Sequence, residues 1–204
     1  TLYIDIGTNG EIVVGNQDWL MTASCSAGPA FEGGGLCCGM RAMTGAIEGF
    51  KINPRTCEPM LLTIGKAKPV GICGSGAINI LAEFLLYGVI DQNGKFNSTG
   101  KTKRLRQGAD GMEYVLSYKE DTGQDHDIVI TEADIDNIIR AKSAMFAGYQ
   151  SLLGKAGLAF SDLERVIIAG AFGDFINLEN AITIGLLPEL ALDRYTFIGN
   201  GTFT

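Results

Sequence analysis

The chain has 204 residues, 46% of them hydrophobic, with 28 glycines and only 5 prolines, enough for one large domain with a real core or for two small ones. Its 16 basic and 23 acidic residues leave a net charge of −7, which argues against nucleic acid or an anionic membrane surface as partner. No apolar run is long enough to span a bilayer and no signal peptide opens the chain, so the expectation is a cytoplasmic protein.

Thr1 to Ile6 reads as an apolar strand that delivers one carboxylate, Asp5, at its end. Gly7-Thr8-Asn9-Gly10 follows as a tight turn, and Glu11 to Gly15 runs back as a second strand. Asn9-Gly10 between β-branched runs is a strong hairpin signal, because both residues tolerate positive φ. Such a loop offers backbone N–H groups and the Thr8 hydroxyl beside a carboxylate. It can cradle phosphate oxygens while Asp5 holds a hydrated Mg²⁺; an ordinary structural hairpin is the competing interpretation.

A third strand is expected near Trp19 to Cys25. Pro29 then suits a first helical turn and Glu32 a helix N-terminus. Leu36 to Phe50 reads as a small-residue helix on a sheet, and Lys51 to Lys68 as irregular, broken by Pro54 and Pro59. Residues 69–73 form a buried strand, Gly74-Ser75-Gly76 a tight turn, and 77–88 a helix. The polar, Gly-rich stretch 91–127 suggests an insertion on the domain edge, with one strand at 112–118 and a short, solvated basic run at 101–106.

Thr131 and Asp134 have capping-box spacing, opening a long helix to Gly154 whose Ile138, Met145 and Tyr149 should pack on the sheet. Arg165 to Ala169 is a buried strand, 170–174 a Gly-rich turn, and Asn177 a cap for a helix over 178–187 that Pro188 stops. A last strand spans 195–199. Strands 1–6, 11–15, 19–25 and 165–169 are expected in one sheet. A chain that ends on a strand reads as an excised piece of something longer.

The five cysteines match neither a CxxC pair nor the spaced runs that ligate iron–sulfur clusters. Cys25, Cys37, Cys38 and Cys73 read as core thiols, and His126 as part of a solvated polar turn. A metal site built from cysteine and histidine is not expected inside this chain.

Neither GxxxxGK[ST] nor GxGxxG occurs, so the three Gly-rich turns after strands do not make a P-loop or a Rossmann site. The order of hairpin loop, long helix, then strand-GAFG-helix resembles the actin, sugar-kinase and heat-shock-protein ATPases. That resemblance implies an α/β fold, an actin-like ATPase (ribonuclease H-like) lobe with a mixed sheet flanked by helices and an inserted irregular segment. DIGTNGEIVVG, CSAGPAFEGGG with GMRAMTGAIE, GICGSGAI, AKSAMFAGYQSLL and IIAGAFGDFINLENAITIGLLP together resemble the C-terminal domain of reductive activators of corrinoid proteins, over residues 1 to 200. In that family an iron–sulfur ferredoxin-type domain and a middle region lie upstream. The resemblance implies ATP-driven reduction of an inactive Co(II) corrinoid protein to Co(I), with an iron–sulfur cluster only in the full-length protein.

The same resemblance implies roles for particular residues. Asp5 would bind Mg²⁺ through water or orient the attacking water, and Gly7, Thr8, Asn9 and Gly10 would donate to phosphates. Gly170, Ala171, Phe172 and Gly173 would pack on the adenosine. With half of a two-lobed cleft in this chain, a homodimer is expected. A small-molecule kinase of the same superfamily and a non-catalytic dimerisation or interaction domain are the alternatives.

Overall fold

A computed structural model of the chain describes residues 1–97, 102–170 and 175–199. In chain order its strands and helices are β1 (Leu2–Ile6), β2 (Asn9–Gly15), β3 (Leu20–Ser26), β4 (Ala46–Ile52), β5 (Pro59–Thr63), β6 (Gly71–Ile72), α1 (Gly74–Leu86), β7 (Leu105–Gly108), β8 (Gly111–Ser117), β9 (Ile128–Thr131), α2 (Glu132–Lys155), β10 (Val166–Ala169), α3 (Leu178–Thr183) and β11 (Tyr195–Phe197). The chain divides into two compact units, Thr1–Pro29 with Arg140–Thr204 and Ala30–Ile139.

The first unit is built on a mixed sheet of order β11-β10-β1-β2-β3. β1 runs antiparallel to β2 and parallel to β10, so the four strands expected in one sheet are found there. Alternation decides its faces. Leu2, Ile4, Ile6, Ile12, Val14, Val166 and Ile168 are buried on one face, while Tyr3 and Asp5 point to the other and are half-buried.

The second half of α2 closes the buried face. Its Met145 sulfur lies 3.2 Å from the Cys25 sulfur, and a Cβ on Gly10 would collide with the Met145 thioether. Gly10 is therefore required by packing. Its neighbour Asn9 is already paired with Ser26, and the reversal itself is made by Gly7 and Thr8. Neither Asn9 nor Gly10 has positive φ, so the conformational reason expected for them does not apply. Ile138 is also buried, within the second unit.

Tyr149 is fully buried and its hydroxyl has no hydrogen-bond partner among the described residues. Burial pushes its phenol well above the ordinary tyrosine range. A buried, unpaired hydroxyl costs about 1–3 kcal/mol. Tyr149→Phe is therefore expected to raise stability by about 1 kcal/mol, read as a higher urea midpoint at unchanged slope; a loss of stability would mean that the hydroxyl has a partner.

In the second unit, 36–45 is a loop and Ala46–Ile52 is a strand, where a helix was expected over 36–50. Alternating burial of Phe50, Lys51 and Ile52 marks the strand, and Gly45 at φ +87° ends any helical path before it. β4 is central in a sheet of order β5-β4-β6. β5 and a 3-10 turn at Ile64–Lys66 replace the irregular stretch expected over 51–68, with Pro59 tolerated as the first residue of an edge strand.

Gly74, Ser75 and Gly76 form the first turn of α1, not a separate tight turn before it. α1 lies on β4, where Phe84 meets Phe50 at 5.5 Å and Tyr114 at 4.9 Å between ring centres, edge to face. Glu83, 1% exposed, accepts from Lys51 Nζ at 2.6 Å and from the Ile52 N–H at 3.1 Å. β7, β8 and β9 form an antiparallel sheet, so the single strand expected at 112–118 has regular neighbours.

In the basic run, Arg104 pairs with Glu58 at 2.5 Å and Arg106 with Glu113 and Asp127, each at 2.8 Å. The Thr131–Asp134 capping box forms as its spacing predicts. Asn177 caps α3 through the Asn180 N–H, but α3 ends at Thr183, before Gly185 at φ +71°. No helix among the described residues is long and apolar enough to cross a membrane.

Candidate functional site

Asp5 stands near the end of β1, flanked in register by Ala169 of β10 and Glu11 of β2. Its side chain lies on the half-buried face, opposite the α2 packing face. β10 ends at Ala169 and Gly170 follows at φ +89°, its N–H donating to the Gly199 carbonyl at 2.8 Å. A Cβ on Gly170 would sit 2.6 Å from Asp5 Oδ1. Two segments remote in sequence, the hairpin carboxylate and the start of the GAFG turn, are thus neighbours. Ala171, Phe172 and Gly173 lie outside the described residues.

The hairpin tip closes just beyond Asp5. The Gly7 N–H donates to the Asn9 carbonyl at 3.1 Å, and the Thr8 carbonyl accepts from the Gly28 N–H at 2.9 Å. Thr8 and Asn9 are exposed and Gly10 is buried. The tip is therefore fixed by its own backbone and by Gly28, and what it turns outward is Thr8 and Asn9.

Glu11 is a residue the sequence reading passed over. It is directly opposite Asp5, which puts two carboxylates on the same face of adjacent strands, an arrangement that is unfavourable without a compensating cation. Both also press on Tyr3, whose phenol is raised by burial first and then by Asp5 and Glu11. The hairpin register carries the signal: once Ile6 pairs with Gly10, Asp5 must face Glu11. This all-oxygen set, with the Thr8 hydroxyl at the tip, fits a hard divalent cation such as Mg²⁺ that keeps several waters.

Gly76 packs against the Ile47 backbone within the second unit, which accounts for a glycine at that position. Glu32 ends a 3-10 turn, Pro29–Glu32, and does not open a helix. Among the described residues, no group of three or more histidine, cysteine, aspartate or glutamate side chains could hold a metal ion.

Gly170→Ala tests the junction. It forces a side chain into a left-handed backbone and against Asp5, with an expected cost of about 1–3 kcal/mol in stability and displacement of the carboxylate. A variant with wild-type unfolding midpoint and activity would show that β10 leaves its turn by another path.

The chain is similar to known proteins over its whole length. A family described as "C-terminal domain of RACo the ASKHA domain" matches residues 1–204. The corrinoid activation enzyme RamQ of Eubacterium limosum is 39% identical over 210 residues, covering 100% of this chain and 35% of that protein. The [Co(II) methylated amine-specific corrinoid protein] reductase of Methanosarcina barkeri is 29% identical over 211 residues, covering 94% of this chain and 35% of that protein. A solved structure of a reductive activator for corrinoid,iron-sulfur protein superposes with a TM-score of 0.92 at 52% identity, over 98% of this chain and 32% of that one. The chain thus spans about a third of the length of the relatives it matches. With its mixed sheet and a family match over the whole sequence, the chain belongs to the C-terminal ASKHA domains of the RACo family.

Proposed function

We propose that this chain is the nucleotide-binding lobe of an ATP-dependent activator that restores a Co(II) corrinoid protein to Co(I), the electron coming from an iron–sulfur domain outside the chain. The observation that carries this reading is the adjacency of Asp5 and Gly170 at neighbouring strand ends, within a domain of the RACo family. The hairpin and the GAFG turn, which the sequence resemblance assigns to phosphates and adenosine, then serve one nucleotide.

In this arrangement Asp5, supported by Glu11, would hold Mg²⁺ through water or orient the attacking water, and the bound ion would supply charge neutralisation at the phosphates. Thr8 and Asn9, exposed at the tip, approach the phosphates, while Gly7 and Gly10 fix the shape of the loop. Gly170 keeps the floor beside Asp5 open, and the sequence resemblance assigns Ala171, Phe172 and Gly173 to the adenosine. The hairpin rigidity established by the Gly7–Asn9 and Gly28–Thr8 bonds pre-orders these donors.

The test measures ATP turnover alongside the appearance of Co(I), followed by its absorbance, in the intact protein with its corrinoid partner. Coupled signals are expected. ATP consumption that requires a small hydroxylated acceptor in place of the corrinoid protein would establish a kinase instead. Binding without any turnover would establish a non-catalytic domain.

Assembly is a second expected result. Light scattering on the isolated chain should show a dimer, because surface made to meet another lobe is left uncovered. A strict monomer at high concentration would rule this out.

A further inference from the structure

Outside the hairpin site, the loop that follows Glu32 carries two adjacent thiols. Cys37 is exposed and Cys38 half-buried, where both were expected in the core. Their sulfurs are 3.6 Å apart, with the Cys37 S–H directed at Cys38. The backbone around them is tied down. The Cys37 N–H donates to Asp134 Oδ1 at 2.8 Å, the Cys38 carbonyl accepts from Ile72 at 2.8 Å, and the Gly39 N–H donates to Leu36 at 3.1 Å. Much of the ordering needed to bring two sulfurs together is therefore already done.

The surroundings distinguish the two thiols. Cys38 is lowered to about 6, by the hydrogen bond from Cys37 first, then by the Val129 N–H and the charge of His126, against opposing effects of burial and Asp134. Cys37, which keeps the proton, is pushed well above the usual thiol range. His126 and Val129, which act on Cys38, also line an open cavity of about 640 Å³ with Arg106, Gln107 and Lys119. The remaining thiols offer less. Cys57 and Cys73 are buried, and burial raises Cys25.

We propose that Cys37 and Cys38 form a reversible modification site that reacts with a low-molecular-weight disulfide and closes to an intrachain disulfide. The Cys38 sulfur attacks one sulfur of the small disulfide, forming a mixed disulfide and releasing one small thiolate, which takes a proton from solvent. Cys37 then yields its proton to solvent, and its sulfur attacks the Cys38 sulfur. The second small thiolate leaves and is protonated. Two protein thiols are oxidised by two electrons in all, and the small disulfide is reduced to two thiols. Adjacent residues lie closer than the Cα separation disulfides favour, so the bond is strained and readily reduced.

The experiment incubates the intact protein with oxidised glutathione, alkylates the remaining thiols and maps the peptides. The expected product is a Cys37–Cys38 disulfide that dithiothreitol removes. Cys37→Ser should stop at glutathionylated Cys38, and Cys38→Ser should react more slowly by on the order of tenfold. A second measurement uses a trivalent phenylarsenical, which should bridge both sulfurs in the unmodified protein and fail in either variant. Cys38 alkylation by iodoacetamide should rise with pH around 6, with His126 and Asp134 as the charged groups facing it. A stable mixed disulfide in the unmodified protein, a bond to a third cysteine, or a Cys38→Ser variant as fast as the parent would each overturn the proposal.

Discussion

Asp5→Asn is expected to abolish ATP-dependent reduction of the corrinoid protein while leaving the fold intact. The amide keeps the shape of the carboxylate but loses the charge that, in the proposed site, would hold a hydrated cation opposite Glu11. Losses of this kind amount to several kcal/mol of transition-state stabilisation, roughly a hundredfold or more in rate. Stability should fall little or even rise, because the substitution removes repulsion between two like charges on facing residues. That opposite movement of activity and stability is the diagnostic. ATP turnover and Co(I) absorbance measure the first, and a urea midpoint the second. A fully active Asp5→Asn protein would reduce the loop to a structural hairpin.

The largest expected loss of stability comes from Gly76→Ala. In an exposed helix the change would favour folding by about 0.8–1.0 kcal/mol through helix propensity. Here the new Cβ would meet the Ile47 carbonyl group, whose carbon lies 2.9 Å away. Ile47 belongs to β4, the central strand of its sheet, and its oxygen also accepts the Cys73 N–H at 3.3 Å. The obstacle is backbone held on both sides, which cannot move aside as a side-chain tip would. Overpacking of this kind costs at least the typical 1–3 kcal/mol and outweighs the propensity gain. Chemical denaturation decides the sign. A midpoint at or above that of the parent would mean that α1 lifts from β4 at little cost.

The first sheet was readable because each of its strands carries its own alternation or apolar run, and because β-branched runs flank a short polar turn. The turn position within that hairpin was not. Asn9-Gly10 has the local chemistry of a reversal, yet pairing with Ser26 and Cys25 of β3 and the packing of Met145 draw both residues into β2. Over 36–50 the small residues suggested a helix, but the rule of close approach applies equally to strands, and Ile47 and Ile52 were the better guide. β5 is not legible from sequence because Pro59 has the local chemistry of a breaker, although an edge strand accepts proline at its start.

At the site, Asp5 and Gly170 were singled out from two separate motifs, and their adjacency follows from β1 pairing with β10. Glu11 was missed because a side chain's partner depends on register, which the order of residues along the chain does not display. The setting of the cysteine pair was hidden for a related reason: Asp134, which holds Cys37, and His126, which acts on Cys38, arrive from almost a hundred residues further on.

The division of the chain has a consequence for the order of assembly during synthesis. The unit Ala30–Ile139 is continuous, so all its partners are present once that stretch has left the ribosome. The other unit is split, and β1 can find its parallel neighbour only when Val166 to Ala169 have been made. Until then the β1–β2–β3 meander has an open edge where β10 belongs, and closing so long a loop slows the pairing. The junction of Asp5 with Gly170 therefore forms late, and only β11, made after it, remains to complete the sheet.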